Sequence, residues 1–256
     1  IEKENDIKDK QQIEDMGIGA FNDLCRSTVQ RYTGEWRTVV ERVGRFVDMD
    51  WDYKTMDPEY MESIWWVFSE LSKKDLIYEG HKPMHICPRC VTPLSNFEVT
   101  QAYVDITDQS ATAKFELADE PGTFVLAWTT TPWTLPGNLL LAIHKKVQYV
   151  KVTIDNEKYI VAEDLVEKVF EGKEIISSEK VSAKDLLGKK YTPLFSYFED
   201  EYKDTAFKIV DADFVTTEDG TGVVHIAPGF GDDDFTLGQK HNLELLQHVR
   251  MDGMFI

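Results

Sequence analysis

The period of the hydrophobic pattern changes along the chain, and this change restricts the fold more than any other feature. Up to about residue 80, apolar side chains recur every three to four positions, which is typical of amphipathic helices. One such stripe consists of Phe21, Leu24, Cys25, Thr28, Val29 and Tyr32. From about Gln101 onward, segments rich in β-branched and aromatic residues follow, such as 123–128, 148–154 and 159–162. Strands and helices do not alternate regularly, so the sequence predicts an α+β fold in which a helical segment precedes a β-rich, barrel-like domain.

Capping and turn residues predict where the helices of the first segment begin and end. Thr33 and Gly34 are expected to end the first helix, and a second helix is expected over 36–44. A third helix is expected to begin with Asp57 as its N-cap and Pro58 at its first position. Its predicted buried face consists of Tyr60, Ile64, Val67, Phe68 and Leu71.

A turn signal in the later part of the chain predicts a β-hairpin. Segments 213–217 and 222–226 flank the sequence EDGT, in which the Asp-Gly pair favours a tight turn. Two further helices are expected at 162–170 and 233–246.

The acidic composition and the lack of long apolar runs exclude several classes of protein. The chain of 256 residues has 46 Asp and Glu against 28 Lys and Arg, a formal charge of −18. This charge disfavours non-specific nucleic-acid binding, and a hydrophobic content of 42% excludes a disordered chain. No apolar run approaches the roughly 20 residues of a membrane span, and three cysteines are too few for a disulfide scaffold. We therefore expect a cytoplasmic protein with no membrane partner. A monomer is a separate expectation.

The first candidate site is a rigid loop that is rich in hydroxyl groups. The sequence WTTTPWTLPGN at 128–138, which we name the Thr-rich loop, follows a predicted strand and contains two prolines that fix the backbone. No His or Lys is adjacent in sequence to activate a threonine, so the loop is expected to present hydrogen-bonding groups rather than a nucleophile. A plain turn at a strand end is the alternative interpretation.

The second candidate site is the sequence GTGVVHIAPGFGDDD at 220–234, which we name the His–Asp segment. Alternation along its short strand places Val223 and His225 on one face. Asp232, Asp233 and Asp234 fall at a predicted helix start, where the dipole favours carboxylates, so simple capping is one interpretation. A metal site is another, although consecutive aspartates at a helix start point in different directions. One imidazole with a nearby buried carboxylate suits the binding of an ammonium group best.

A pair of cysteines forms the third candidate site. Cys87 and Cys90 in the sequence CPRC supply two of the four ligands that a structural zinc ion needs. His81 and His85 are close in sequence, but a second cysteine pair does not follow. Half of a zinc-ribbon site and two free thiols in a packed turn are equally good interpretations.

The Thr-rich loop and the His–Asp segment together closely resemble the editing domain of the isoleucyl-tRNA synthetase family. The valine and leucine relatives usually carry Thr-Thr-Arg-Pro in the first segment and lack the His-x-Ala-Pro pattern in the second. Segments 44–50, 60–68 and 92–98 are similar to the catalytic domain that precedes the editing insertion. Together with 189–195, they are closest to the eukaryotic-type branch of the family.

This resemblance implies a division into three parts. Residues 1–82 would be a helical segment of the class I catalytic domain, 83–100 a zinc-ribbon-like connector, and 101–256 the editing domain. The two ATP-binding signatures of the family are missing, so ATP and magnesium would serve only a catalytic core that is absent here, and no amino-acid activation is expected. Because the chain begins at Ile1 without a Met and stops at Ile256, we expect it to be a piece of a longer protein.

The resemblance also implies roles for individual residues. Asp234 matches the aspartate that binds the α-ammonium group of the substrate, and Asn138 matches an asparagine that holds either the loop or the terminal adenosine. The loop around the aminoacyl ester and the adenosine would contain Thr129, Thr130 and Thr131. The residues near the amino-acid side chain would be Trp128, Thr134 and His225, with His225 rejecting isoleucine. The residues expected to act in catalysis are Asp234, Thr130 and His225, without a cofactor, a protein nucleophile or a catalytic metal.

The implied function is the hydrolysis of valyl-tRNA(Ile), with valyl-adenylate as a second candidate substrate and isoleucine excluded by size. One additional methylene contributes only about 1–3 kcal/mol of binding free energy in a hydrophobic pocket. The discrimination of isoleucine from valine is the usual example of that limit. Two other functions compete. One is a binding module that recognises an aminoacyl end without hydrolysing it. The other is a metal-dependent hydrolase that uses the three aspartates at 232–234 with His225.

Overall fold

The computed structural model describes residues 1–101 and 103–256, which form two compact units. The first unit comprises Ile1–His81 and Cys87–Thr92, and the second comprises Lys82–Ile86 and Pro93–Ile256. Ala102, inside the predicted 101–256 domain, lies outside the described residues. The three-part division implied by the family resemblance stays a prediction. In the described part of the chain, no helix has the length and apolar character needed to cross a membrane.

Three α-helices make up most of the first unit: α1 (Lys10–Met16), α2 (Ile18–Arg42) and α3 (Pro58–Ser72), after a short 3-10 helix at Lys3–Asn5. The predicted break at Thr33 and Gly34 is wrong, because α2 continues through both residues. An interior glycine costs a helix only about 1 kcal/mol, and here the apolar stripe keeps the same period on both of its sides. The expected helix end near Gly44 is confirmed, since α2 ends two residues before it.

Helix α3 begins at Pro58 after Asp57, as predicted. The Asp57 carboxylate accepts a hydrogen bond from the Lys54 amide at 3.2 Å rather than from the helix. The predicted burial of its apolar face is wrong, because Ile64 and Phe68 are 52% and 59% exposed. An amphipathic period identifies which face is apolar, but the two other helices of this unit are too few to cover it.

The second unit contains most of the strands. The short strands β1 (Ile86–Cys87) and β2 (Thr92–Pro93) flank the cysteine turn, and helix α4 (Asn96–Val99) follows with a capping box made by Ser95 and Glu98. The remaining strands are β3 (Ala111–Glu116), β4 (Thr123–Thr129), β5 (Leu140–Ile143), β6 (Tyr149–Ile154), β7 (Glu157–Ala162), β8 (Ser177–Val181), β9 (Lys208–Asp211) and β10 (Val224–Ile226). The helices are α5 (Val166–Val169), α6 (Ala183–Leu186), α7 (Glu199–Tyr202) and α8 (Asp232–Lys240), with 3-10 helices at Pro132–Gly137 and Glu163–Leu165.

The long strands form two mixed sheets. The larger has the order β3-β4-β7-β6-β8, in which only β4 and β7 run parallel. The smaller has the order β10-β5-β9, with β10 antiparallel and β9 parallel to β5. The predicted α+β class with a β-rich domain is confirmed. The described strands form these two sheets and the separate pair β1-β2, and none of these sheets closes into a barrel.

The main core lies between the two sheets. Phe115, Val125 and Ile160 of the larger sheet share one apolar cluster with Leu141 and Ile209 of the smaller sheet. The neighbouring residues Leu140 and Ala142 point to the opposite face of β5, where they pack with Leu237 of α8. All four residues of β5 are buried as a result, which explains why this strand reads as a continuous apolar run.

The hairpin predicted around the Asp-Gly pair does not form. Residues 213–217 are not a strand, and β10 pairs with β5 instead. The turn is held against the larger sheet by two hydrogen bonds of Thr221. Its hydroxyl donates to the Leu126 carbonyl at 2.6 Å, and its backbone carbonyl accepts from the Ala162 amide at 2.9 Å. These long-range bonds direct the chain away from the geometry that the local signal favours.

Replacing Gly222 with alanine is expected to lower the free energy of unfolding by roughly 2–5 kcal/mol. Gly222 has φ of +74°, and an added Cβ would lie 2.4 Å from the Ala162 Cβ, so both backbone strain and overlap contribute. Gly172 has the same φ with open space around it, so Gly172→Ala should cost only about 1–2 kcal/mol. Urea unfolding compares the two, and Ala162→Gly should restore part of the loss in the Gly222→Ala background. Equal losses at both glycines would contradict the overlap.

Candidate functional site

The Thr-rich loop and the His–Asp segment meet in one cleft. The loop leaves the end of β4 and forms the 3-10 helix Pro132–Gly137, while the segment supplies β10 and the first turn of α8. Together they line a cavity of about 390 Å³. Of the residues expected to act at the site, the cavity is lined by Trp128, Thr129, Thr130, Thr131, Thr134, His225 and Asp234. The structure thus brings together two segments that the sequence analysis selected separately.

Hydroxyl groups connect the loop to the imidazole. The side-chain oxygens of Thr129 and Thr131 are 3.2 Å apart, and those of Thr131 and Thr134 are 3.3 Å apart. The Thr134 hydroxyl lies 3.0 Å from His225 Nε2. The Thr129 oxygen also accepts the Thr131 amide hydrogen at 3.0 Å, which fixes the bend at the strand end. The side chains in this chain of hydrogen bonds therefore have fixed positions along one wall of the cleft.

The hydrogen-bond pattern defines the state of His225. The Thr134 hydroxyl donates its hydrogen to the Thr131 carbonyl at 2.8 Å, so it accepts from His225, and Nε2 carries the imidazole hydrogen. Nδ1 is then a buried acceptor with no partner among the described residues. Burial lowers the pKa of His225 to about 4, so the ring is neutral at pH 7. His225 is close to a threonine in space, although not in sequence, and in this tautomer it donates to the hydroxyl rather than acting as its base.

Asp234 is the one carboxylate of the aspartate triplet that lines the cleft. Its Oδ2 accepts the Ala227 amide hydrogen at 2.8 Å, which orients the carboxylate. Desolvation raises the pKa of Asp234 to about 6, against the effect of that hydrogen bond and with a smaller contribution from Asp233. A half-buried carboxylate of this kind is stabilised by an incoming cation, because the cation compensates for the hydration that burial has removed.

The other two aspartates of the triplet have a different environment. Asp232 and Asp233 are exposed in the first turn of α8, where the helix dipole stabilises them. The three side chains therefore do not converge. In residues 1–101 and 103–256, no group of three or more His, Cys, Asp or Glu side chains is arranged to hold a metal ion. A metal centre built from this triplet with His225 does not fit the geometry.

Asn138 does not line the cleft. It is 6% exposed, its amide nitrogen donates to the Leu140 carbonyl at 2.9 Å, and its amide oxygen accepts from the Tyr191 hydroxyl at 2.7 Å. Of its two expected roles, holding the loop is the one that fits this position. The bond to Tyr191 connects the end of the loop to the main core, in which Tyr191 is buried.

Several residues of the cleft were missed by the sequence analysis. The cavity is also lined by Phe214, Thr216, Asp219, Val224 and Phe230. Phe230 lies inside the His–Asp segment, and its position between two glycines was a usable signal. Phe214 and Thr216 were assigned to a strand of the predicted hairpin, so their approach to the cleft could not be found from local pattern.

The two cysteines supply part of a metal site at most. The Cys90 amide lies 3.5 Å from Cys87 Sγ, and this backbone hydrogen bond lowers the pKa of the Cys87 thiol. Thiolates held by amides in this way are suitable zinc ligands. The described residues bring no third or fourth ligand to them, so zinc would need ligands from elsewhere. The half-site and the packed turn both stay as predictions.

Replacing Thr134 with valine is expected to lower the free energy of unfolding by about 1–3 kcal/mol. Valine keeps the volume but leaves the buried His225 Nε2 hydrogen without its partner. The Thr131 carbonyl loses the hydroxyl but still accepts the backbone amide hydrogen of residue 134 at 3.0 Å. The exposed Thr130 is a matched control, and Thr130→Val should change stability by less than about 0.5 kcal/mol. Urea unfolding measures both, and equal stability of the two variants would contradict the hydroxyl chain.

Comparison with known proteins places the chain among the aminoacyl-tRNA synthetases. It is 44% identical over its whole length to the isoleucine--tRNA ligase of Bdellovibrio bacteriovorus, of which it covers 24%. It is 43% identical over 93% of its length to the probable cytoplasmic isoleucine--tRNA ligase of Dictyostelium discoideum, of which it covers 22%. The chain therefore spans about a quarter of the length of these relatives.

One solved structure is similar over part of the chain. The editing domain of the cytosolic leucyl-tRNA synthetase of P. falciparum is similar over 49% of each chain, with a TM-score of 0.38 and 14% identity. The family model described as tRNA synthetases class I (I, L, M and V) matches residues 1–222, which is most of the chain. The chain belongs to the class I tRNA synthetases of this isoleucine, leucine, methionine and valine group.

Proposed function

We propose that this chain contains an editing domain that hydrolyses the ester bond of valyl-tRNA(Ile). The observation that carries the proposal is the meeting of Asp234 and His225 in one cleft of about 390 Å³. The similarity to isoleucine--tRNA ligases over the whole chain supports the choice of tRNA. Because the chain spans only about a quarter of such relatives, amino-acid activation with ATP and magnesium would belong to the remainder of a full enzyme.

The cleft offers a distinct surface for each end of an aminoacyl ester. The Asp234 carboxylate can bind the α-ammonium group by a charge-assisted hydrogen bond. The hydroxyls of the Thr-rich loop can surround the ester and the terminal adenosine. Water then adds to the ester carbon, the bond to the ribose oxygen breaks, and that oxygen takes up a proton. The neighbouring hydroxyl of the terminal ribose and the loop orient the water, so neither a protein nucleophile nor a metal is needed.

Size selection would come from the wall that His225 forms. Its ring is 7% exposed and is held by Thr134, so it cannot move aside at little cost. A valyl side chain fits against such a wall, whereas the additional methylene of isoleucine overlaps it. Overpacking a rigid site commonly costs about 1–3 kcal/mol, which is enough to favour valine by one to two orders of magnitude.

The partners follow from the same chemistry. The 3′ end of tRNA(Ile) would enter the cleft with valine or isoleucine as its aminoacyl group. A formal charge of −18 opposes the phosphate backbone, so we expect weak tRNA affinity for this chain alone. We expect a monomer in the cytoplasm. We propose zinc only for a longer protein, in which further ligands could complete the Cys87 and Cys90 pair.

One assay separates the proposal from its two competitors. Hydrolysis of valyl- and isoleucyl-tRNA(Ile) is measured with and without EDTA. We expect release of valine, little release of isoleucine, and no effect of EDTA. Binding without release of valine would indicate a recognition module, and loss of hydrolysis in EDTA would indicate a metal-dependent hydrolase. Either result overturns the proposal.

A further inference from the structure

A second buried histidine lies behind the cleft. His248 is 3% exposed in the segment that follows α8, and its Nε2 lies 2.9 Å from the Trp133 carbonyl oxygen. A carbonyl only accepts, so Nε2 carries the hydrogen and donates it. Trp133 belongs to the 3-10 helix of the Thr-rich loop and directly precedes Thr134, the residue that holds His225.

The same ring also contacts the other wall of the cleft. The centroids of the His248 and Phe230 rings are 4.7 Å apart, and Phe230 lines the cavity. The Phe255 ring stacks on His248, with 5.9 Å between the two ring centroids. The approach to the loop is so close that a Cβ added to Gly137 would lie 2.6 Å from the imidazole. His248 therefore touches the Thr-rich loop and the His–Asp segment at once.

The imidazole of His248 lowers stability in a way that a purely packing role does not explain. Its Nδ1 is buried and has no partner among the described residues. An unpaired buried acceptor destabilises a protein, and a phenyl ring would fill a similar space without it. What an imidazole adds over a phenyl ring is the hydrogen bond to the loop.

We propose that His248 is a positioning residue for the cleft. Its hydrogen bond to Trp133 and its contact with Phe230 fix the distance between the two walls, and thereby the place of the Thr134–His225 pair. The role in specificity rests on the proposed function, since it concerns the selection of valine over isoleucine at the same site. The positioning of the loop does not depend on that function.

Two substitutions separate the hydrogen bond from the packing. His248→Phe keeps a ring against Phe230 but removes the donor, whereas His248→Gln places an amide nitrogen near the position of Nε2. His241→Gln serves as the matched control, because His241 lies at the end of α8 and does not line the cavity. All are made in the 256-residue chain, with melting temperature, kcat and KM for valyl-tRNA(Ile), and the valine-to-isoleucine ratio as measurements.

We expect His248→Phe to lower kcat by about 10- to 100-fold with KM within about twofold, since a small misplacement of reacting groups has effects of this order. The valine-to-isoleucine ratio should fall as well, with a melting temperature close to that of the unchanged chain. His248→Gln should recover most of the loss, and His241→Gln should behave as wild type. Unchanged kcat and ratio in His248→Phe, or equal losses in the Phe and Gln variants, would overturn the proposal.

A measurement without substrate keeps the two proposals distinct. In ¹⁵N NMR spectra, His248 should show a slowly exchanging Nε2 hydrogen, and His248→Phe should shift the ring signals of His225. If the unchanged chain hydrolyses no valyl-tRNA, the proposed function fails while these shifts still support positioning. Unchanged His225 signals in His248→Phe would reject the positioning role whatever the activity.

Discussion

Asp234→Asn is expected to lower the hydrolysis of valyl-tRNA(Ile) by about 100-fold while making the folded chain more stable above pH 6. The asparagine oxygen can still accept the Ala227 amide hydrogen, so the local geometry is kept. The variant loses the negative charge that would pair with the substrate ammonium, and hydrogen bonds to charged groups contribute about 1.5–3 kcal/mol. The rate is measured with the valyl ester at several pH values.

The gain in stability follows from the raised pKa of Asp234, which is about 6 in the folded chain against an ordinary value of 3.8. Between these values the folded state binds more protons than the unfolded state, so stability decreases as pH rises from about 4 to about 6. Removing the carboxyl group should therefore stabilise the chain by about 1–3 kcal/mol at pH 8 and by almost nothing below pH 4. For the same reason, kcat/KM of the unchanged chain should fall below about pH 6, as the carboxylate becomes neutral.

Asp233→Asn is the matched control for this prediction. Asp233 precedes Asp234 in the same helix turn but is exposed and does not line the cavity. Its removal should leave the rate within about twofold. It should raise stability at pH 8 by much less than Asp234→Asn does, because Asp233 makes only a smaller contribution to the raised pKa of Asp234. If the two variants hydrolyse valyl-tRNA equally well, Asp234 does not bind the ammonium group.

His225→Ala is expected to raise the hydrolysis of isoleucyl-tRNA(Ile) by about 10- to 100-fold, with a smaller change for the valyl ester. The substitution removes the wall of the side-chain pocket, and the selection that a methylene allows is of this size. His225 is neutral at pH 7, so the effect comes from volume rather than from charge. The ratio of the hydrolysis rates of valyl- and isoleucyl-tRNA(Ile) therefore measures the loss of size selection.

A histidine just after the neighbouring strand provides the control for His225→Ala. His144 follows the end of β5 and does not line the cavity, so His144→Ala should keep the ratio of the two rates. A further variant, Thr134→Val, keeps the imidazole but removes its hydrogen-bond partner, and should give a partial loss of selection. An unchanged ratio in His225→Ala would place the size filter elsewhere in the cleft.

Much of the fold could be predicted from local pattern, within definite limits. The start of α3 at Pro58 and the strands β4, β6 and β7 follow from capping residues and β-branched runs. The Asp-Gly hairpin failed because Thr221 is bonded to Leu126, 95 positions away, and no local signal contains that contact. The break of α2 at Gly34 failed because an apolar stripe with the same period on both sides outweighs a weak helix breaker.

The candidate site was predictable as two segments but not as one structure. The composition of the Thr-rich loop and the His–Asp segment indicated hydrogen-bonding chemistry, and the family resemblance joined them. The contact between Thr134 and His225 depends on the packing of two sheets, which a single sequence does not show. No sequence pattern pointed to His248. Its partner is the backbone carbonyl of Trp133, and any residue at position 133 would supply such a carbonyl.

The hydroxyls of the Thr-rich loop lead to the uncharged imidazole of His225. The selectivity expected of the cleft therefore depends on pH differently from its rate of hydrolysis. Between about pH 5 and 6 the Asp234 carboxylate is losing its charge, whereas His225, with a pKa of about 4, keeps the same protonation state. Acidification should therefore slow the removal of wrongly attached valine while correctly attached isoleucine remains protected.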